Sequence, residues 1–377
     1  MTFGIEQRLE SGWNLDLSIP ASGRTTASVT RLSFGLLSQT ELERLEFSAS
    51  SALIVENSFD TAGTEAQLGR PELDLRYTRE VPNAIFSIAA RFRRDDVEAF
   101  DEDLGEDDAT GTRTDYGAEL RFETGRTAPI GVAFTTAFER SVYTDTTDPD
   151  LIDTDTLRVG FDTMLRFSEV AVGRVGLGYM REEEQIPGGV VSEDVTVSAG
   201  LDYTMPNGVA TAVVSVTRDD DGRQRTNLEI GRALELPAGS VSARLGLSLA
   251  DPGGTEVIGA LAWSQDLPRG SFDIRLERSV DFEDGTDATV TDTVFSASLA
   301  RELNAVSSVG LDFLYEVSDA PSERVEQAEV AATYRYRLTE DWGLDSGVRY
   351  RIRHDADGRS ESPNVFVALS RSFDFRP

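Results

Sequence analysis

The chain has 377 residues, with 67 acidic against 36 basic side chains and a formal net charge of -31. That balance argues against a nucleic-acid partner, because nothing here could neutralise a phosphate backbone. The absence of cysteine and the single histidine exclude a disulfide framework and a thiolate metal site, and leave little for proton or metal chemistry. No run of 18 apolar residues occurs, so no membrane-spanning helix is expected; strands that show only alternate residues to lipid escape that test.

The chain opens directly on strand-like Thr2 to Arg8 without a charged, apolar leader, and the expectation is that the numbering starts at the mature end. From there amphipathic segments of period two succeed one another to the last residue, and none keeps apolar residues at helical spacing. The fold class is all-β, with about 20 strands (about 18 to 22) of roughly ten residues each.

The clearest apolar faces, in chain order, are Ala84, Phe86, Ile88, Ala90 and Phe92; Ile130, Val132, Phe134 and Phe138; Leu157, Val159, Phe161, Leu165 and Phe167. Val195, Val197, Ala199, Leu201 and Tyr203 follow, then Val241, Leu245, Leu247 and Leu249, then Val309, Leu311, Phe313 and Tyr315. The opposite faces carry charge of both signs. A soluble sandwich would alternate in the same way, so alternation alone leaves both architectures open.

Connections discriminate better. Short turns at 80–83, 124–128, 205–208, 236–239, 267–270 and 338–341 alternate with longer polar loops at 57–70, 95–113, 143–155, 182–193, 281–292 and 354–363. Short turns on one side and long acidic loops on the other suit a transmembrane barrel with periplasmic turns and extracellular loops. Pro-x-Gly recurs at 206–208, 237–239 and 268–270, a constant spacing of 31 residues, as expected of uniform hairpins in an up-and-down meander. Aromatics gather at strand ends. Tyr77, Tyr203, Trp263, Tyr334, Trp342, Phe373 and Phe375 lie beside short turns, where rings would sit at the membrane interface, and Tyr116, Tyr179, Tyr315 and Tyr350 lie near long loops.

The last strand, Asn364 to Phe375, has Val365, Val367, Leu369, Phe373 and Phe375 on one face, interrupted by Arg371. Its alternating terminal aromatics resemble the C-terminal sorting signal of Gram-negative outer-membrane β-barrels. With the turn and loop pattern, the whole chain is similar to alphaproteobacterial-type, porin-like barrels. The resemblance implies one antiparallel up-and-down transmembrane β-barrel over residues 1–377, closed by the last strand on the first. It also implies residence in the bacterial outer membrane among its lipids and lipopolysaccharide, and insertion by the barrel-assembly machinery. The closing segments 338–351 and 362–367 also resemble barrels of exopolysaccharide or exosortase systems.

A barrel of this width cannot be filled by side chains alone. The expected pore-lining residues are Arg91, Arg93, Arg121, Arg158, Arg166, Arg244, Arg335, Arg337, Arg349, Arg351, Asp312 and Glu316, either screening solutes or pairing across strands to stiffen the wall. Asp101, Asp103, Asp107 and Asp108 could gather calcium or bridge lipopolysaccharide phosphates through divalent cations, although a solvated acidic loop is the plainer reading. His354, near Ser360 and Ser362, is the one imidazole available to a hydrolase and reads more simply as a loop-base residue. No cofactor is expected. The expected function is non-enzymatic: passive diffusion of small hydrophilic solutes or ions. An accessory barrel for polysaccharide export is the alternative, and an outer-membrane hydrolase comes third.

Overall fold

In the computed structural model the described residues are 1–15, 17–58, 63–97, 111–146, 151–186, 189–282, 288–321, 323–356 and 358–375. They form twenty strands and no helix. The first five are β1 (Thr2–Trp13), β2 (Arg24–Gln39), β3 (Glu43–Ser58), β4 (Gly63–Val81) and β5 (Ala84–Asp96). Next come β6 (Thr112–Thr124), β7 (Ile130–Thr144), β8 (Thr154–Arg166), β9 (Ala171–Glu184) and β10 (Val191–Met205). After these follow β11 (Gly208–Asp219), β12 (Gln224–Leu236), β13 (Gly239–Asp251), β14 (Thr255–Leu267) and β15 (Gly270–Phe282). The last five are β16 (Thr289–Asn304), β17 (Ser307–Asp319), β18 (Arg324–Arg337), β19 (Trp342–His354) and β20 (Arg359–Asp374).

Each strand pairs antiparallel with the next, and β20 returns to β1, so the sheet closes. The closing ladder runs from Thr2 opposite Asp374 to Gly12 opposite Asn364. Below it the Phe375 N–H donates to the Met1 carbonyl at 2.8 Å, tying the two ends. Closure leaves no edge of unpaired backbone groups, the condition for a sheet to sit in hydrocarbon.

The distribution of apolar residues decides between barrel and sandwich. Ile230, Leu245, Leu177 and Val365 are 68%, 61%, 53% and 53% exposed, all on the side that alternates with the charges. A soluble sandwich would bury this face between its sheets; here it points outward and only lipid can cover it. Strand length agrees: the 13 residues of β13 span about 43 Å, or about 33 Å when tilted by about 40°, enough for the ~30 Å hydrocarbon layer.

Two local features follow from proline chemistry. Pro71 lies where the β3–β4 register shifts between Ser50 and Ala52, beside Arg70 at φ 56°, because a bulge tolerates a missing N–H. Pro363 sits one residue past the last β1–β20 rung, Gly12 with Asn364, so its missing donor removes nothing from that ladder.

The alternation of short turns with long loops holds only in part. On the long-loop side β11 and β12 are joined by residues 220–223, β13 and β14 by 252–254, and β17 and β18 by 320–323. Elsewhere the strands run further into the expected loops, as where β19 reaches His354 and β20 begins at Arg359. Polar residues at these strand ends satisfy their backbone in the ladder while their side chains stay in water, so polarity did not mark the strand limits.

Candidate functional site: the charged inner wall

Period two fixes which side chains face the lumen once one pair is placed. A concave hollow of about 740 Å³ lined by Asp74, Arg76, Arg91, Glu119, Glu139 and Arg158 spans several adjacent strands, and only the inside of a barrel offers such a surface. The ladders then carry the assignment round the wall. Arg91, Arg93, Arg121, Arg158, Arg166, Arg244, Arg335, Arg337, Arg349, Arg351, Asp312 and Glu316 all stand on the inner face.

Most of these arginines have an acidic neighbour on the same face. Glu139 on β7 accepts from Arg91 on β5 and, at 3.5 Å, from Arg158 on β8. Gly117 and Ala137 form the low floor beneath them. Further round, Arg244 lies between Glu229 at 3.9 Å and Glu277 at 3.5 Å, Arg335 meets Asp345 at 3.5 Å, and Arg349 meets Glu329 at 3.2 Å. Arg121 pairs with Glu123 at 3.2 Å and Arg93 lies 3.9 Å from Asp95. The side chains of Arg91, Arg158, Arg244 and Arg335 are 53% to 74% exposed. Water and salt therefore reach them, and each pair contributes at most about 1 kcal/mol to stability. Their effect is on the field in the lumen.

Two members serve local structure as well. Arg166 donates to the carbonyls of Gly125 and Ala128, holding the β6–β7 turn. Arg351 donates to the Leu15 carbonyl, drawing the β1–β2 connection against the inner wall. That connection buries Asn14 and Leu17, 1% and 5% exposed. Its Asn14 side chain is held by Ser18 and Ser22. Arg337 has no ion pair among the described residues, and it lines a second hollow of about 590 Å³ with Glu6, Arg31, Arg335 and Asp345. Asp312 and Asp273 flank a third of about 410 Å³ with Arg275 and Glu329.

The wall is not evenly charged. On β15 to β17 the inward positions include Asp273, Glu277, Asp281, Asp292, Glu302, Asp312 and Glu316 against Arg275 alone among the described residues. Among the described residues, inward aromatics within the strands are confined to Tyr143 and Phe366. Phe366 lies under the Arg8 guanidinium at 3.9 Å and over Gly347, where a side chain would collide with its ring.

The outer face carries the expected aromatics. Tyr77, Tyr203, Trp263, Tyr334, Trp342 and Phe373 are outward at the short-turn ends of their strands, and Phe375 follows β20 at 59% exposure. Trp263 meets Phe272 edge-on at 5.5 Å, and Phe3 meets Phe373 across the closure at 6.2 Å.

Other sequence candidates are not brought together. His354 is exposed on the outer side, while Ser360 and Ser362 are inward and buried, 4% and 0% exposed, on the opposite face of the sheet. Asp101, Asp103, Asp107 and Asp108 lie outside the described residues. Among the described residues no group of three or more acids and histidines could hold a metal ion.

Sequence reading missed a regular device. Arginine stands two residues before an acid at thirteen places, and nine of them pair: Arg8–Glu10, Arg44–Glu46, Arg93–Asp95, Arg113–Asp115, Arg121–Glu123, Arg181–Glu183, Arg324–Glu326, Arg353–Asp355 and Arg359–Glu361, whereas, among the described residues, Arg70–Glu72, Arg94–Asp96, Arg218–Asp220 and Arg275–Glu277 do not. The nine lie within ion-pair distance. A spacing of two puts both ends on one face of a strand, so the Arg-x-acid motif was a readable signal. So was the basic set itself: all 36 basic residues are arginine and none is lysine.

No protein-family model matches the chain, and no curated protein matches it. Solved structures do. The siderophore receptor PirA from Pseudomonas aeruginosa superposes with a TM-score of 0.55 at 12% identity, covering 99% of this chain and 80% of that one. The ferric enterobactin receptor PfeA of the same organism gives 0.56 at 9% identity, covering 98% and 81%. The ferric-catecholate import receptor Fiu from E. coli gives 0.54 at 10%, again covering 98% and 81%. Identity this low speaks for the fold alone, and the fold is that of the bacterial outer-membrane β-barrel.

Proposed function

We propose that the chain is a non-enzymatic pore of the outer membrane through which small hydrophilic solutes or ions diffuse passively. One observation carries this reading: a closed wall of twenty strands with an inner face of wet, exposed charges and no described segment crossing the lumen. A barrel this wide encloses more space than its side chains fill, and the charges on its wall act on whatever ion enters that space. The acidic sector from β15 to β17 gives the path a preference for cations. The likeness to siderophore receptors supports the architecture, and the reading borrows nothing from what those receptors bind.

Purified, folded protein in planar bilayers should give stepwise conductance, with a cation-selective reversal potential in a salt gradient. A folded sample that never conducts would overturn the pore and favour an accessory barrel for polysaccharide export.

A further inference from the structure

The β14–β15 ladder is the shortest in the barrel among the described residues: nine rungs from the short turn it ends, at Gly259 opposite Arg278. Beyond that rung the two strands part. Thr255 stays paired to β13 opposite Leu249, and Ser279 to Phe282 stay paired to β16 opposite Asp292 to Thr289. At the fork the Arg278 guanidinium donates to the Val257 carbonyl at 3.1 Å and to the Thr293 hydroxyl at 3.1 Å. A side chain thus meets a carbonyl that lies past the last rung.

The parted end of β15 and β16 lies inside the barrel. Arg225 of β12 is inward, on the same face as Glu229; it donates to the Val280 carbonyl and meets Asp281 at 2.8 Å. Between β12 and β15 the sheet holds β13 and β14, and three strand spacings amount to about 14 Å, beyond the reach of one side chain. The contact therefore requires the end of β15 to bend across their inner face. Burial agrees. Ser248 and Ile258, inward on β13 and β14, are 1% and 7% exposed, whereas Leu249 and Val257, outward on the same stretch, are 41% and 52% exposed. Val280 and its rung partner Thr291 belong to the outward face by period two, yet they are 4% and 8% exposed, because that face rests on the wall. Arg223, in the β11–β12 connection, lies 5.0 Å from the Phe282 ring, and a Cβ at Gly253 would meet the Thr289 methyl at 3.3 Å.

The covered position leaves polar atoms unmet. The Ser248 hydroxyl and the side-chain oxygen of its rung partner Asn227 are buried without a hydrogen-bond partner among the described residues, a cost that solvent removes when the hairpin lifts. The register also offers a second position. Extending the β14–β15 ladder would set Val257 opposite Val280 on the outer face, where lipid suits both, and Glu256 opposite Asp281 on the inner one. Like charges directly opposite are unfavourable, so the strands stay parted while Arg225 holds Asp281. We propose that the loop-side end of the β15–β16 hairpin is a gate of the pore mouth, with Arg225 as the positioning residue that keeps it over the wall and so limits the size of solute that enters. Its action on solutes rests on the pore reading, whereas the cover over β12 to β14 does not.

The experiment places one cysteine in the folded full-length protein, which has none of its own. Ser248→Cys lies under the hairpin; Ser240→Cys, inward on the same strand and exposed, lies clear of it. With a charged, water-soluble maleimide, Ser248→Cys should react at least about tenfold more slowly, as for a gate open in a tenth of the molecules or fewer. Adding Arg225→Gln should bring the two rates together, and Arg225→Lys, which keeps the charge and a donor, should restore the protection. Planar bilayers supply the second readout, at 1 M salt, where a Debye length of about 3 Å makes conductance report width more than wall charge. There Arg225→Gln should raise conductance and admit larger polyethylene glycols; a silent wild type beside a conducting Arg225→Gln would be the same gate fully shut. Each variant is first checked for folding by the mobility difference between unheated and boiled samples, and if Ser248→Cys fails to fold, Ala250→Cys takes its place. Equal rates at the two cysteines with Arg225 intact overturn the cover, and faster labelling of Arg225→Gln with unchanged conductance and polymer limit overturns the gate. Protection released by Arg225→Gln without conductance in any variant overturns the pore reading and the gate with it, while the cover stands.

Discussion

Gly270 opens β15 at φ +155°, and a Cβ there would run into the Ala300 carbonyl of the adjoining strand. Gly208 and Gly239 stand in the same relation to Ala233 and Ser264, which is why glycine recurs with the 31-residue repeat. The turn carbonyls of Asn207, Ala238 and Arg269 in turn accept the N–H groups of Glu235, Asp266 and Glu302. Gly270→Ala should therefore cost about 1–3 kcal/mol, measured by urea unfolding of the protein in lipid vesicles. Gly254→Ala, with no heavy atom within 4 Å of the added Cβ, should cost almost nothing; equal losses would refute the steric account. Glu139 offers a test of a different kind. It is shared by Arg91 and Arg158, so Glu139→Gln leaves two guanidinium groups facing the lumen without a carboxylate. Stability should change by less than about 1 kcal/mol, because the arginines are exposed, while the reversal potential moves toward anions.

At the scale of elements, the terminal strand was the most legible part of the chain. Its alternation predicted one apolar face, and its resemblance to barrel-closing strands implied a partner in the first strand; that face is outward, and the closing ladder runs from Thr2 to Gly12. Arg371, which breaks that alternation, is outward as period two requires and rests on Phe373 of its own strand and on Trp342 of β19; the second contact joins two strands and so leaves no trace in a single segment. Connections were less legible. The polar stretches at 182–193 and 354–363 contain strand ends as well as loop, and the inward packing of the β1–β2 connection depends on Arg351, more than 300 positions away in sequence. The register itself is testable because the chain has no cysteine. Successive rungs of an antiparallel pair alternate between hydrogen-bonded and non-hydrogen-bonded geometry, and only some suit a disulfide. Of the two neighbouring rungs Glu6 with Ser370 and Gln7 with Leu369, at least one should cross-link as a cysteine pair under mild oxidation. The linked chain should then migrate anomalously after boiling until it is reduced. Cysteines at Glu6 and Ala368, offset by two residues, should not link.

At the scale of the molecule, what remained hidden was how charge is distributed. Period two separated inward from outward residues and the up-and-down meander made consecutive strands neighbours, but the acidic sector emerges only when the inward acids of β15, β16 and β17 are taken together as one stretch of wall. Asp273 and Asp312 face each other across Ser298, and Glu316 lies two pleat repeats further along β17, past Leu314. If this sector sets the sign of the field, cation preference should depend on screening. At 0.1 M salt the Debye length of about 10 Å lets wall charges reach well into the lumen, whereas at 1 M it shrinks to about 3 Å and the centre of a wide pore becomes neutral. Selectivity for potassium over chloride should therefore decline steeply across that range while single-channel conductance rises with salt. Replacing Asp273 and Asp312 by Asn and Glu316 by Gln should flatten the low-salt selectivity without reducing conductance at 1 M, since the substitutions alter charge at nearly constant side-chain volume. Low-salt cation selectivity that survives the triple substitution would move the responsible field to the rest of the wall, and an anion-selective wild type would mean that the inward arginines prevail.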